Sequence, residues 1–191
     1  LLLQAGQVSF GHAMFFAIGA YTIGFIGRSF AGGELLLLIP AGIVASLAAG
    51  LFVGLFVVRY RYIFFGMLNL AFSMVLFSLL EKFIHVTGGS DGLRIARPTV
   101  LGQVLDRHDY ETTVYYVALA LLAISLYAVH RFLDSPLGHM LRAIKTNETR
   151  LEYLGVSARR TLLVAYAVSA VLAGLGGVLI GAIQGIATPD Y

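Results

Sequence analysis

The 191-residue chain is 59% hydrophobic and 12% charged, against about 25% in soluble domains, and its mean hydropathy is +0.86. A soluble core of this length cannot bury so much apolar surface, which excludes a water-soluble domain and points to an all-α, polytopic membrane bundle. A scattered net charge of +3 argues against a nucleic-acid partner, and the absence of cysteine excludes disulfides and thiolate metal sites.

The chain opens LLLQAGQ, with neither an initiator Met nor a signal-peptide pattern, and reads as an internal piece of a longer protein, cut at both ends. Five apolar runs follow, at about 1–27, 35–58, 62–80, 112–130 and 161–183. Each is long enough for the roughly 20 residues of a span, so about five transmembrane helices are expected. In the first run, Gln4, Gln7 and Gly11 fall within about 60° of one another on a helix, while Ser9 and His12 face elsewhere. Unpaired amides and imidazole are costly in hydrocarbon, so this run must be buried, broken, or beside a water-filled path. Gly6 and Gly11 would allow the break. Two readings stand side by side: Gln7, Ser9 and His12 line or gate a path, or they hold the bundle together. His12 has no ligand-spaced companion, which argues against a metal.

The second run carries Gly42, Ser46, Gly50 and Gly54 at every fourth residue, a small-residue stripe on which another helix can approach closely. Arg59 and Arg61 fill the short loop after it. In the third run, Asn69 and Ser73 lie four apart and share a face, with Ser78 further along, which reads as a polar seam toward the bundle interior. TGGSDG, residues 87–92, is dense in turn formers and reads as a tight turn capping the third span. Residues 94–111 alternate charge and apolar groups, as a short re-entrant or surface piece would.

After the fourth run, residues 131–160 become charged and amphipathic. Ser135–Pro136 is a helix start, with Ser as N-cap and Pro at the first helical position. Leu137, Met140, Leu141 and Ile144 then occupy one face, and His139, Arg142 and Lys145 the other. Asn147 can cap a second short helix with Leu151 and Leu154 three apart, and Gly155 stands where a glycine closes a helix. A helix–turn–helix on the membrane surface is expected. Its face of Arg142, Lys145, Glu148, Arg150 and Glu152 mixes charges, which suits a protein partner better than anionic lipid alone, although an interfacial lipid helix stays open. The fifth run repeats the small-residue pattern with Ala173, Gly177, Gly181 and Gly185.

The basic residues orient the chain. Arg59, Arg61, Arg131, Arg142, Lys145, Arg150, Arg159 and Arg160 lie in two loops that share a side if five spans alternate. Arg28, Lys82, Arg94, Arg97 and Arg107 lie on the other side, among six acids. The positive-inside rule puts 59–61 and 131–160 in the cytoplasm and 81–111 outside. No Asp, Glu, Lys or Arg lies in the middle of any run, whereas ion-coupled carriers usually bury such a group.

LGHMLRAIKTNETRLEYLGV resembles the cytoplasmic coupling region of permease subunits in branched-chain amino-acid ABC importers, where a pattern like G-R-x-L-R-A-I-R-E-N-E-x-A-A-E-x-L-G is typical. GQVSFGHAMFFAIGAYT is similar to that family's G-Q-x-S-x-G-H-A-x-F-x-x-I-G-A-Y, and TGGSDGL to its external T-G-G-x-D/N-G-L. The three motifs stand in family order over nearly the whole chain. One departure is that Arg150 and Leu151 replace paired small residues, which leaves Glu152 and Gly155 matched but questions the packing of the second short helix. The resemblance implies that residues 1–191 are part of a permease domain in the bacterial inner membrane. It implies coupling to a cytoplasmic ATPase through Leu137, Gly138, Leu141, Arg142, Ala143, Ile144, Asn147, Glu148, Glu152 and Gly155. It also implies a substrate pathway past Gln7, Ser9, His12, Phe16, Asn69 and Ser73, and an external loop of Thr87, Gly88, Gly89, Asp91 and Gly92 that meets a periplasmic binding protein. A second permease subunit is a further implied partner. No G-x-x-x-x-G-K-[ST] occurs, so this chain is expected to hydrolyse nothing and to hold no cofactor, with ATP and Mg²⁺ on separate subunits. The alternatives are a urea or short-chain amide permease of the same superfamily, an ion-coupled carrier, and an intramembrane enzyme. No catalytic cluster at shared-face spacing favours the last.

Overall fold

The computed structural model describes residues 1–29, 33–96, 98–100 and 106–189. The first apolar run does not form one span. Leu2–Ala5 make a single 3₁₀ turn, closed by Gly6 in the left-handed region at φ +71°. The chain is then unwound until α1 starts at His12 and continues to Ser29. The unwound piece lies against α3 (Tyr62–Lys82). A methyl on Gly66 would stand 3.0 Å from the Val8 carbonyl oxygen, and one on Gly11 would overlap the Asn69 carbonyl. Glycine is what lets two backbones meet there. The expectation that a continuous helix puts Gln7 and Gly11 on one face and Ser9 and His12 elsewhere is therefore replaced by the break its glycines allowed.

The apolar α1 packs against α2 (Leu35–Val57) and α7 (Ala158–Gln184), which also pack directly on each other. Van der Waals contact between membrane helices grows as backbones approach, and small residues set that approach. Gly42, Ser46, Gly50 and Gly54 are all buried, with a methyl on Gly50 only 2.6 Å from Ala170 Cβ. On α7, Gly177 would clash with the Phe16 backbone if it bore a methyl, and Gly174 with Ser46. The expected stripe is thus real on α2. On α7 it is shifted: Gly174 makes a close approach beside Gly177 and Gly181, Ala173 is only partly buried, and Gly185 is the left-handed cap that ends the helix at φ +68°.

Among the described residues, four helices, α2, α3, α5 (Arg107–Leu133) and α7, are long and apolar enough to cross a membrane, while the apolar stretch His12–Gly27 of α1 is shorter. The protein is a multi-pass helical membrane protein. The fourth run starts earlier than expected because residues 107–111 are already helical, with Arg107 Nε donating to Glu111 Oε1 at 2.9 Å. Only Tyr110 and Val114 of α5 are buried, so this helix stands at the periphery, anchored by the Tyr110 hydroxyl donating to the Ala182 carbonyl at 3.0 Å.

A short sheet was not foreseen. β1 (Leu93–Arg94) pairs antiparallel with β2 (Ile186–Ala187), with Leu93 opposite Ala187 and Arg94 opposite Ile186. Ile95 N–H continues the ladder to Gly185 O at 2.9 Å, and Leu35 N–H donates to Thr99 O at 2.9 Å. Residues 93–96 and 98–100 strap the end of α7 to the start of α2. Arg97 and residues 101–105 of that stretch lie outside the described residues. The chain thus has two ends. One holds the 3₁₀ turn and loop 59–61; the other holds the strand pair.

Candidate functional site

α6 (Pro136–Tyr153) builds the first candidate site. The Ser135 hydroxyl accepts from the Gly138 amide at 3.4 Å, with Pro136 in the first turn, as the Ser-Pro pair predicts. At Asn147 the backbone is extended, at φ −160° and ψ 95°, and its Oδ1 accepts from the Arg150 amide at 3.0 Å. Asn147 ends one helical segment and caps the next. Gly155 follows at φ +82°.

The buried face of α6 is Gly138, Leu141, Ile144 and Leu151, and its leucines and isoleucine join a core with Leu2, Ala5, Ala158 and Leu162. Leu137, Met140 and Ala143 flank that face and are half-buried, while His139, Arg142 and Lys145 are exposed as expected. Lys145 packs its stem on Gly6, 3.3 Å from where a methyl would be. Two expectations change. Leu151 is buried but Leu154 is 75% exposed, beside Tyr153 at 87%, so these leucines do not share a buried face. Second, Glu148 and Arg142 each make a contact within the chain. Glu148 accepts from Arg61 Nε at 2.9 Å and Nη2 at 2.6 Å, and Arg142 Nη2 donates to the Leu133 carbonyl at 3.1 Å. The Arg61–Glu148 pair puts loop 59–61 and α6 at one end of the molecule, as the charge distribution predicted. Arg150 and Glu152 remain exposed.

The second constellation surrounds the break before α1. Gln7 is buried, and its Oε1 accepts from the Tyr62 amide at 2.8 Å, satisfying a donor at the start of α3 where Tyr62 sits at φ +54°. His12 bridges two hydroxyls: Nδ1 is 2.8 Å from Ser9 Oγ and Nε2 is 2.6 Å from Ser169 Oγ. A neutral imidazole donates from one nitrogen and accepts at the other, so one serine accepts and the other donates. The ring is edge-on to Phe15 and Tyr166. Asn69 is fully buried. Its Nδ2 donates to the Phe65 carbonyl at 2.9 Å and its Oδ1 accepts from the Tyr166 hydroxyl.

The structure thus joins Ser9 and His12 to Ser169, and Asn69 to Tyr166, in one polar seam between α1, α3 and α7. Ser169 and Tyr166 escaped the sequence reading. Their signal was two polar groups three apart in the fifth run, which share a helical face. Phe16 lies one turn beyond His12 and packs on Gly176, 3.2 Å from where a methyl would be. Ser73 is not in the seam. It lines a groove of about 300 Å³ with Phe10, Ala13, Met14 and Ala17.

At the opposite end, α4 (Ile84–Thr87) caps α3. The buried Thr87 hydroxyl donates to the Leu80 or Phe83 carbonyl, at 2.5 and 2.9 Å, and accepts from the Gly89 amide at 3.3 Å. Gly88, Gly89 and Gly92 all have positive φ, at +80°, +59° and +73°, so the expected tight turn is present. Asp91 ends a 3₁₀ turn from Gly89 and is exposed.

The whole chain, residues 1–191, matches the family described as branched-chain amino acid transport system / permease component. The chain belongs to this permease family. It is 32% identical over 207 residues to the high-affinity branched-chain amino acid transport system permease protein LivM of Escherichia coli K12, covering 97% of this chain and 48% of the relative. The LivM protein of Salmonella typhimurium matches equally, at 32% and the same coverage. The nucleoside ABC transporter permease protein NupB of Lactococcus lactis is 26% identical, covering 95% of this chain and 56% of the relative. The chain spans about half the length of the curated relatives it matches. No solved structure matches it. In permease terms, the three motif stretches fall at the break and start of α1, on the turn after α4, and on α6. The family departure at 150–151 is accommodated, because Leu151 enters the core and Arg150 stays outside.

Proposed function

We propose that this chain is the membrane portion of a permease subunit in an ATP-driven importer of branched-chain amino acids, in a bacterial inner membrane. The single observation that carries this reading is α6, an amphipathic element that is anchored to the bundle by one face and turns the other outward. Separate cytoplasmic ATPase subunits would hold ATP and Mg²⁺ and grip α6, and this chain would have no enzymatic site of its own. A second permease subunit would complete the route, and a periplasmic binding protein would dock near Thr87–Gly92. Gln7, Ser9, His12, Phe16, Asn69 and Ser73 would border the pathway.

The coupling contacts are proposed for Asn147, Glu152 and Gly155, with Leu137, Gly138, Leu141, Ala143 and Ile144 as the face that transmits force. Exposed Tyr153 and Leu154 supply the apolar anchor, since aromatic groups amid charged ones dominate docking energetics. Force on α6 has a short way into the bundle. Leu141 and Ile144 share a core with Leu2 and Ala5, Gly6 abuts Lys145, and Gln7 holds the start of α3. Alternating access would follow from movement of the break at 6–11.

The test is ATP-dependent uptake by the full-length permease, its ATPases and its binding protein in proteoliposomes. Leucine, isoleucine or valine should be taken up in preference to nucleosides, the solute class that NupB's name makes the competitor. Tyr153→Ala with Leu154→Ala should weaken ATPase co-purification by about tenfold or more, the scale of an interface hot spot, with insertion unchanged. Unchanged co-purification would take the coupling role away from α6.

A further inference from the structure

The end of the molecule opposite α6 holds a cavity of about 510 Å³, within the ~300–1,000 Å³ typical of small-molecule sites. Asp91 and Arg94 both line it, with Ile84, Leu93 and Ala96 as apolar wall and His85 as a hydrogen-bonding edge. Asp91 and Arg94 carry opposite charges and are exposed, yet they do not pair with each other. Among the described residues neither side chain has any other ion-pair or hydrogen-bond partner. The backbone holds each in its place. Asp91 closes the 3₁₀ turn, Gly92 redirects the chain at φ +73° and ψ 165°, and Arg94 is set in β1 by its pairing with Ile186.

We infer that this cavity receives the zwitterion of an aliphatic α-amino acid, its ammonium on Asp91 and its carboxylate on Arg94. The pairing follows from charge. A carboxylate and a guanidinium in one cavity, neither neutralised by the other, fit a ligand that carries both signs on neighbouring atoms. Guanidinium holds a carboxylate through two parallel N–H bonds, and ammonium is a compact donor for a carboxylate. A dicarboxylate would meet Asp91 with like charge, and a nucleoside would leave both charges unanswered. The apolar wall faces the side chain. The site is open and exposed, so it is a weak reception point where solute is passed on, not a store. The inference rests on the amino-acid importer reading and names a place where that solute is held.

The measurement is a saturation-transfer NMR titration of the full-length permease with its ATPase subunits in nanodiscs, without binding protein. Three probes are used: L-leucine, leucinamide, which lacks the carboxylate, and 4-methylpentanoate, which lacks the ammonium. Exposed ion pairs contribute about 0.2–1 kcal/mol each, so leucine should bind about 1.4- to fivefold more tightly than either analogue. In Arg94→Gln the advantage over leucinamide should vanish, and in Asp91→Asn the advantage over 4-methylpentanoate should vanish. Each variant should keep the preference that the other loses, a crossed pattern that general damage to the fold would not produce. An unchanged preference in both variants, or no preference in the native permease, overturns the inference. ATP-driven uptake by the native importer is measured in parallel. Leucine uptake without the crossed pattern sinks only the cavity assignment. Uptake of nucleosides and of no amino acid sinks the importer reading itself.

Discussion

Ser46 is a buried serine whose hydroxyl finds no partner among the described residues, wedged against Gly174. A buried unsatisfied hydroxyl costs about 1–3 kcal/mol, so Ser46→Ala should leave the melting temperature of the purified protein unchanged or raise it. A clear fall would mean that Ser46 has a partner in the assembled bundle. Tyr166 presents the opposite case. Its hydroxyl donates to the fully buried Asn69, and its ring packs edge-on against Phe15 and Phe65. Tyr166→Phe keeps the ring but leaves Asn69 Oδ1 short of its donor, at a cost of about 1–3 kcal/mol. Thermal unfolding in detergent should register this as a lower midpoint, and Asn69→Leu added to Tyr166→Phe should recover part of it.

Between elements, the Arg61–Glu148 contact joins loop 59–61 to α6, with the two side chains 18% and 31% exposed. Its Nε and Nη2 donors both reach the carboxylate, so geometry is favourable but solvent screening is partial. A double-mutant cycle with Arg61→Gln and Glu148→Gln should give a coupling of about 1 kcal/mol, falling at high salt. A coupling near zero would mean that α6 is held by its apolar face alone. The α1–α7 crossing depends on bare backbone. Gly177→Val would drive a side chain into the Phe16 carbonyl, and overpacking of this kind costs about 1–3 kcal/mol or more. Size-exclusion profiles should show loss of the folded monomodal peak, whereas Gly27→Ala, with nothing within 4 Å of an added methyl, should leave it intact.

For the whole molecule, the proposed importer topology puts α6 and the TGGSDG turn on opposite faces of the membrane. This chain has no cysteine of its own, so single cysteines can be placed at exposed Glu152 and His108 without a background from these residues. A membrane-impermeant maleimide should label the two positions from opposite sides; labelling from one side would overturn the span count. Much of the fold was legible in the residues. Period, charge and cap chemistry are local, so Ser135–Pro136, Asn147 and Gly155 marked α6, and the arginines marked which loops share an end. The glycine stripe of α2 was legible because i to i+4 spacing alone puts residues on one face. Contacts between distant residues were not legible. Ser169 lies 157 residues from His12, and nothing in either neighbourhood names the other. Likewise Arg61, 87 residues away in sequence, meets Glu148, and neither neighbourhood announces the pair. β1 and β2 have two residues each, too few for any period to show. By itself the sequence determined that the chain lives in a bilayer and where most of its helices begin and end. Those outcomes depend on solvation and on backbone groups within one or two turns. Only the tertiary structure decided which polar groups meet and which charges pair within the chain. That choice is made by helix crossings, and close approach at glycine sets them.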